Sequence, residues 1–280
     1  MKTKVWFITG ASRGMGLEIA KAALANGDKV VATVRSQPEK LAGEISNDNL
    51  FVVTLDVTDA EQARQAAKQA TDHFGRIDVL VNNAGFGLLG AVEEGNDSEV
   101  RQSFDTNVFG LLNVTRAILP YFRSQRSGHV INMSAVVGLT SFAGWGLYAA
   151  TKFAVEGLSE ALAVELKPLG VHVTAVEPGF FRTNFLDGSS LTSAKSVIED
   201  YAGTSGQSRA FASQLNYKQP GDPSKLAAAI MKLAASVNPP THLPLGKDTL
   251  LYFNQKMEKL NKEIEEWQEV ITGTDHDDVH

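Results

Sequence analysis

Val5-Trp6-Phe7-Ile8-Thr9-Gly10-Ala11-Ser12-Arg13-Gly14-Met15-Gly16 is the stretch that decides how this chain folds. Four apolar residues in a row read as a strand buried on both faces. A glycine-rich turn follows, then a helical pattern near residues 15–26. Glycines let such a turn reverse tightly and let backbone N–H groups approach a pyrophosphate. The helix N-terminus adds partial positive charge facing the anion. Gly10, Ser12, Arg13, Gly14, Met15 and Gly16 are therefore the expected phosphate-binding turn of a βαβ unit.

The alternation continues outward from that turn. Apolar runs at 30–34, 50–55, 79–81, 130–133 and 171–176, with a shorter one at 241–245, predict six further strands. Helical patterns near 59–74, 98–124 and 148–167 lie between them. Strand–helix repetition with continuous apolar strands predicts an α/β Rossmann fold: one domain over residues 1–280, with a doubly wound, seven-stranded parallel sheet. Residues 180–222, rich in Ser, Gly and Thr, break the rhythm and are expected to form an irregular substrate lid or loop. Leu251, Met257, Leu260, Ile264, Trp267 and Ile271 predict an amphipathic helix over 250–272, docked on the domain or on a partner subunit. Residues 273–280 read as a flexible tail.

Composition narrows the function classes. A net charge of -6 argues against nucleic-acid and anionic-membrane partners. No apolar run reaches the roughly 20 residues that span a bilayer, and the N-terminus lacks the apolar core of a signal peptide. The absence of cysteine excludes disulfides and thiolate metal sites and fits a reducing cytoplasm. His276 and His280 stand among tail aspartates and read as solvated, so no metal site is expected.

The end of the second strand bears on cofactor choice. An NAD site wants a carboxylate there for the ribose 2′-hydroxyl. This chain has Thr33-Val34-Arg35-Ser36 instead. Arg35, with Arg13, can clamp a 2′-phosphate, and no acid is present to repel it, so NADP(H) is the expected cofactor. Asp56-Val57, after the third strand, is placed to meet the adenine, and Asn83-Ala84-Gly85 brings backbone close to the cofactor.

Tyr148 and Lys152 are four residues apart on one helix face. An ammonium near a phenol favours the phenolate and tunes the tyrosine for proton transfer with a carbonyl or alcohol oxygen. Thr9-Gly10-x-x-x-Gly14-x-Gly16, Asn82-Asn83-Ala84-Gly85, Asn107, Tyr148-x-x-x-Lys152 and Pro178-Gly179 occur in that order. Residues 3 to about 185 thereby resemble the short-chain dehydrogenase/reductase family; beyond 185 the resemblance is architectural.

The resemblance implies roles. Tyr148 is the general acid in reduction, and Lys152 holds the nicotinamide ribose and lowers the tyrosine pKa. Asn107 holds a relay water from a helix kink. Pro178, Gly179, Phe181 and Thr183 bracket the nicotinamide. It also implies a homodimer or homotetramer paired through the helices over 98–124 and 148–167.

One position departs from the family pattern. The family's serine, thirteen residues before the tyrosine, falls on Ala135, with Ser134 one residue earlier. Neighbours on a strand point to opposite faces. Either a local turn brings Ser134 into the catalytic role, or that hydrogen bond is missing. Ala135, Val136, Phe142, Trp145, Phe180 and Phe185 are the expected substrate pocket, suited to a hydrophobic ketone, aldehyde or secondary alcohol. The expected function is thus a carbonyl reductase or alcohol dehydrogenase. The alternatives are a non-catalytic NADP-binding sensor or scaffold, or a serine-deficient inactivated variant.

Overall fold

The computed structural model describes residues 3–276. In chain order the strands are β1 (Val5–Ile8), β2 (Lys29–Val34), β3 (Leu50–Thr54), β4 (Val79–Asn82), β5 (Gly87–Leu89), β6 (Gly128–Met133), β7 (Val171–Pro178), β8 (Leu191–Ser193) and β9 (His242–Leu245). The helices are α1 (Gly14–Ala25), α2 (Pro38–Glu44), α3 (Ala60–Phe74), α4 (Asp97–Phe104), α5 (Leu111–Gln125), α6 (Val136–Leu139), α7 (Gly146–Leu166), α8 (Gln207–Leu215), α9 (Pro223–Ala235), α10 (Lys247–Glu266) and α11 (Gln268–Thr272).

Seven strands form one parallel sheet in the order β3-β2-β1-β4-β6-β7-β9. The apolar runs are buried on both faces because helices cover both. α1 and α9 pack over Trp6, Ile8, Val30 and Val81 on one side. α3, α5 and the end of α7 pack over Phe7, Val31, Leu80 and Val130 on the other. Strand order reverses between β1 and β4, and the crevice beyond their carboxyl ends is where such sheets bind ligands. Among the described residues no helix is long and apolar enough to cross a membrane.

The segment 180–222 is more ordered than its composition suggests. β8 pairs in parallel with β5, Gly87 opposite Leu191, and α8 occupies 207–215. Glu94 anchors this region. Its buried carboxylate accepts from Arg209 (2.6 and 3.0 Å), from Ala91 N (2.7 Å) and from Ile198 N (2.9 Å). The Arg209 guanidinium foremost holds that carboxyl down at about 2 despite burial. Local composition cannot reveal such ties, because Arg209 and Ile198 each lie more than a hundred residues from Glu94.

The C-terminal helix forms, but it does not dock along its length. Tyr252 packs against Phe142, whereas Leu260, Ile264 and Trp267 remain exposed. Of the tail, Gly273–His276 are described; His280 and its neighbouring aspartates lie outside the described residues.

Candidate active site

The glycine turn has the shape its residues require. Gly10 and Gly14 adopt φ of +64° and +58°, in the left-handed region that side chains disfavour. A Cβ on Gly16 would lie 2.6 Å from Gly10 O and strike the Asn83 amide, so only glycine fits. Thr9 and Asn83 staple this turn to the end of β4. Thr9 Oγ1 accepts from the N–H groups of Asn83 and Ala84, both at 2.9 Å, and Asn83 Nδ2 donates to Thr9 O (2.9 Å) and Gly10 O (3.1 Å).

Beside the turn opens a cavity of ≈ 620 Å³. Gly10, Ser12, Arg13, Gly14, Met15, Arg35, Asp56, Val57, Asn83, Ala84, Gly85 and Thr183 line it, as do Tyr148 and Lys152. Gly16 shapes the turn from behind. Arg35 and Ser36 stand on the wall at the end of β2, with no carboxylate from β2 beside them. Arg13 reaches across the mouth and donates to Ser189 O (2.7 Å) and Ser190 Oγ (3.0 Å). Both arginines of the expected clamp thus line the cavity, and Arg13 is also tied to the 180–222 segment.

Asn107 sits on a six-residue π-helical segment, Asp105–Gly110, between α4 and α5. Such segments widen the helix and often mark functional sites. The buried Asn107 amide clips the Phe86 backbone, accepting from Phe86 N (3.0 Å) and donating to Phe86 O (2.9 Å) and Thr151 Oγ1 (3.1 Å). A π-helical segment interrupts the α-helix at Asn107, whose side chain is engaged in holding the β4–β5 loop.

Lys152 Nζ is buried, donates to Met133 O at 2.7 Å and lies 5.7 Å from the Tyr148 ring centre. Burial pushes the lysine down to about 8, with the Glu156 carboxylate opposing that shift. The Tyr148 phenol is pushed above its ordinary value by burial. This differs from the lowered pKa expected of the pair. Desolvation of the phenolate dominates because the ammonium is turned to a carbonyl instead of the phenol oxygen.

A second, apolar pocket adjoins the first, with Tyr148, Ser134 and Thr183 on both walls. Ala135, Val136, Phe142, Trp145, Phe180, Phe185 and Phe181 line it, beside Pro178 and Gly179 at the end of β7. The rings of Trp145 and Phe185 lie 6.2 and 6.0 Å from that of Tyr148. Ala135 packs into this apolar cluster. The Ser134 hydroxyl has no hydrogen-bond partner among the described residues; it lies with the Glu156 carboxylate against Gly138, where an added Cβ would strike both.

Behind Ser134 lies a group that sequence reading missed. The buried carboxyls of Glu156 and Glu177 face His242, whose Nδ1 is 3.4 Å from Glu156 and 3.1 Å from Glu177. Nothing in local spacing announces it, since the three come from α7, β7 and β9. Asp248 was likewise unmarked; its Oδ2 accepts from Phe180 N (2.7 Å) and fixes the backbone just after Gly179. Burial, then the facing Glu156, pushes Glu177 up to about 9, and burial also raises Glu156. A carboxyl raised on folding binds its proton more tightly in the folded state, so its contribution is intact below 4.5 and is lost as pH climbs toward about 9. Glu177→Gln should therefore raise the melting temperature at about pH 8.5 and leave it nearly unchanged at about pH 5. Equal gains at both pH values in thermal melts would show that the carboxyl is not held protonated.

The family model for short chain dehydrogenases matches residues 4–193. This chain belongs to the short-chain dehydrogenase family. The likeness extends past residue 185, further than the motifs alone carry it. The oxidoreductase BOA17 of Botryotinia fuckeliana is 40% identical over 274 residues, covering 96% of this chain and 98% of that protein. The 3-ketodihydrosphingosine reductase of Bacteroides thetaiotaomicron is 38% identical over 246 residues, 88% of this chain and 89% of that one. A crystal structure of a short-chain dehydrogenase from Streptomyces avermitilis superposes with a TM-score of 0.91 at 41% identity, covering 98% of this chain and 100% of that one. Within the family, the crevice at the β1/β4 reversal is the place for a nicotinamide cofactor.

Proposed function

We propose that this chain is an NADP(H)-dependent carbonyl reductase or alcohol dehydrogenase acting on a hydrophobic ketone, aldehyde or secondary alcohol. The observation that carries the reading is the position of Tyr148 on the wall shared by the polar cavity and the apolar pocket. The glycine turn that a Cβ would obstruct, and the end of β2, which offers Arg35 and no carboxylate, fit a dinucleotide bearing a 2′-phosphate. When bound, the nicotinamide supplies or accepts the hydride.

The protein's own residues do the rest. Tyr148, kept protonated by burial, donates its proton to the substrate oxygen. Lys152, anchored on Met133 O, keeps its other N–H groups for the ribose and for returning a proton to Tyr148. Asn107 holds the β4–β5 loop against α7, and the π segment supplies the kink from which a relay water is held. Pro178, Gly179, Phe181 and Thr183 would bracket the nicotinamide, with the Gly179–Phe180 link fixed by Asp248. Trp145, Phe142 and Phe185 exclude water from the substrate's apolar arm. The 3-keto substrate named for the Bacteroides relative is compatible with such a pocket. We place the enzyme in the cytoplasm and read it as a homo-oligomer, supported by Phe109, Phe153 and Val164 exposed on the helices that the family uses for pairing.

Two experiments test this reading. NADPH oxidation over a panel of aryl and alkyl ketones should be rapid for at least one; binding of NADPH with no carbonyl reduced would favour a sensor. Arg35→Asp should lower the NADPH-to-NADH preference in kcat/KM by at least about tenfold, the value of one charge-assisted hydrogen bond. An unchanged ratio would remove Arg35 from the clamp.

A further inference from the structure

The C-terminal helix presents an apolar seam that the domain leaves uncovered. Leu250, Phe253, Met257, Leu260, Ile264 and Trp267 are spaced three, four, three, four and three residues apart. That is the a/d heptad spacing by which one helix packs along another. Phe253 is half-buried; the other five are between 37% and 61% exposed, although the N-terminal turns are fixed to the domain through Tyr252 and Lys256.

We infer that this seam pairs with the same seam of a second copy, antiparallel, with Met257 of one chain over Leu260 of the other. Three observations select that occupant. The six residues keep a heptad spacing, which suits a partner helix and not a flat lipid surface. Residues 247–272 carry four lysines against six acidic residues, which disfavours anionic membranes. The flanking charges then choose the direction. In a parallel pair, Lys256 would face Asn261 and Glu263 would face Gln268, and no charges meet. In the antiparallel register, Lys256 faces Glu263 of the second copy, and two-fold symmetry makes that pair twice. Lys256 Nζ donates to Leu139 O at 2.6 Å and lies over the Phe153 ring, and an ammonium has further donors for the pair. The layers would be Leu250 on Trp267, Phe253 on Ile264 and Met257 on Leu260. This association is independent of the proposed catalysis and lies on elements other than the helices by which the family pairs.

Because the chain has no cysteine, single cysteines report the register cleanly. Full-length Met257→Cys and Leu260→Cys chains are mixed in equal amounts and mildly oxidised. The expected product is a disulfide-linked heterodimer in high yield from the mixture, with little from either chain alone. Like residues in this register are offset by about three residues along the axis, beyond disulfide reach. Adding Ile264→Lys to both chains should abolish the cross-link while the far-UV circular dichroism spectrum is unchanged, showing that the chains remain folded. Cross-linking of each variant with itself, no cross-link from the mixture, or a cross-link that survives Ile264→Lys would overturn the inference.

Discussion

Tyr148→Phe is expected to lower kcat by about 10³-fold while NADPH binding stays close to wild type, the scale of losing a positioned general acid. The substitution is unusually clean. The Tyr148 ring is packed by Trp145 and Phe185, which phenylalanine would satisfy equally. Its hydroxyl makes no hydrogen bond to any described residue, so no structural partner is orphaned by removing it. The melting temperature should therefore hardly move while turnover collapses. Single-turnover kinetics with pre-bound NADPH would isolate the chemical step. A Tyr148→Phe variant retaining more than about a tenth of wild-type turnover would fall below the usual range for general acid catalysis and would end the assignment of Tyr148 as proton donor. The direction of its pKa shift fits this role in reduction, since a phenol pushed up by burial still holds its proton at neutral pH.

Ala135→Ser should work in the opposite direction. Ala135 lies in the apolar pocket beside Tyr148, at the position where the family carries its serine. A hydroxyl there would give the substrate oxygen a second donor, acting where negative charge develops. Removing one such donor typically costs about 10²–10³ in kcat, so restoring it can add up to about 10². Ser134→Ala should change kcat little, because the Ser134 hydroxyl lies against Gly138 and Glu156. Steady-state kinetics on one good ketone substrate would compare the two variants. A large loss in Ser134→Ala with no gain in Ala135→Ser would show that Ser134 turns into the pocket during turnover and serves the catalytic role.

The difference between these two residues shows where sequence reading stops. Counting back from Tyr148 locates the departure at Ala135, and strand alternation says that Ser134 and Ala135 face apart. Alternation alone cannot say which neighbour meets the substrate, because the strand ends at Met133 and Ala135 is already the N-cap of α6. The glycine turn was legible for the converse reason. Its glycines, the preceding strand and the following helix are contiguous, so local sterics specify them together. Tyr148 and Lys152 were legible because four residues on a helix fix a shared face. Glu156, Glu177 and His242 were not, since only sheet pairing and the packing of α7 bring them together.

By itself the sequence determined the strands of the main sheet, the glycine turn, the Tyr148–Lys152 face and the acid-free end of β2. Each depends on residues within a few positions of one another, whose sterics, periodicity or charge act before the chain is folded. Tertiary structure decided the rest. It turned the Ser134 hydroxyl toward Glu156, drew 180–222 onto the domain through Glu94 and Arg209, gathered two buried carboxyls around His242, and left the seam of α10 uncovered. These outcomes depend on burial and on partners far along the chain, and desolvation is a property of the assembled fold, not of any short segment.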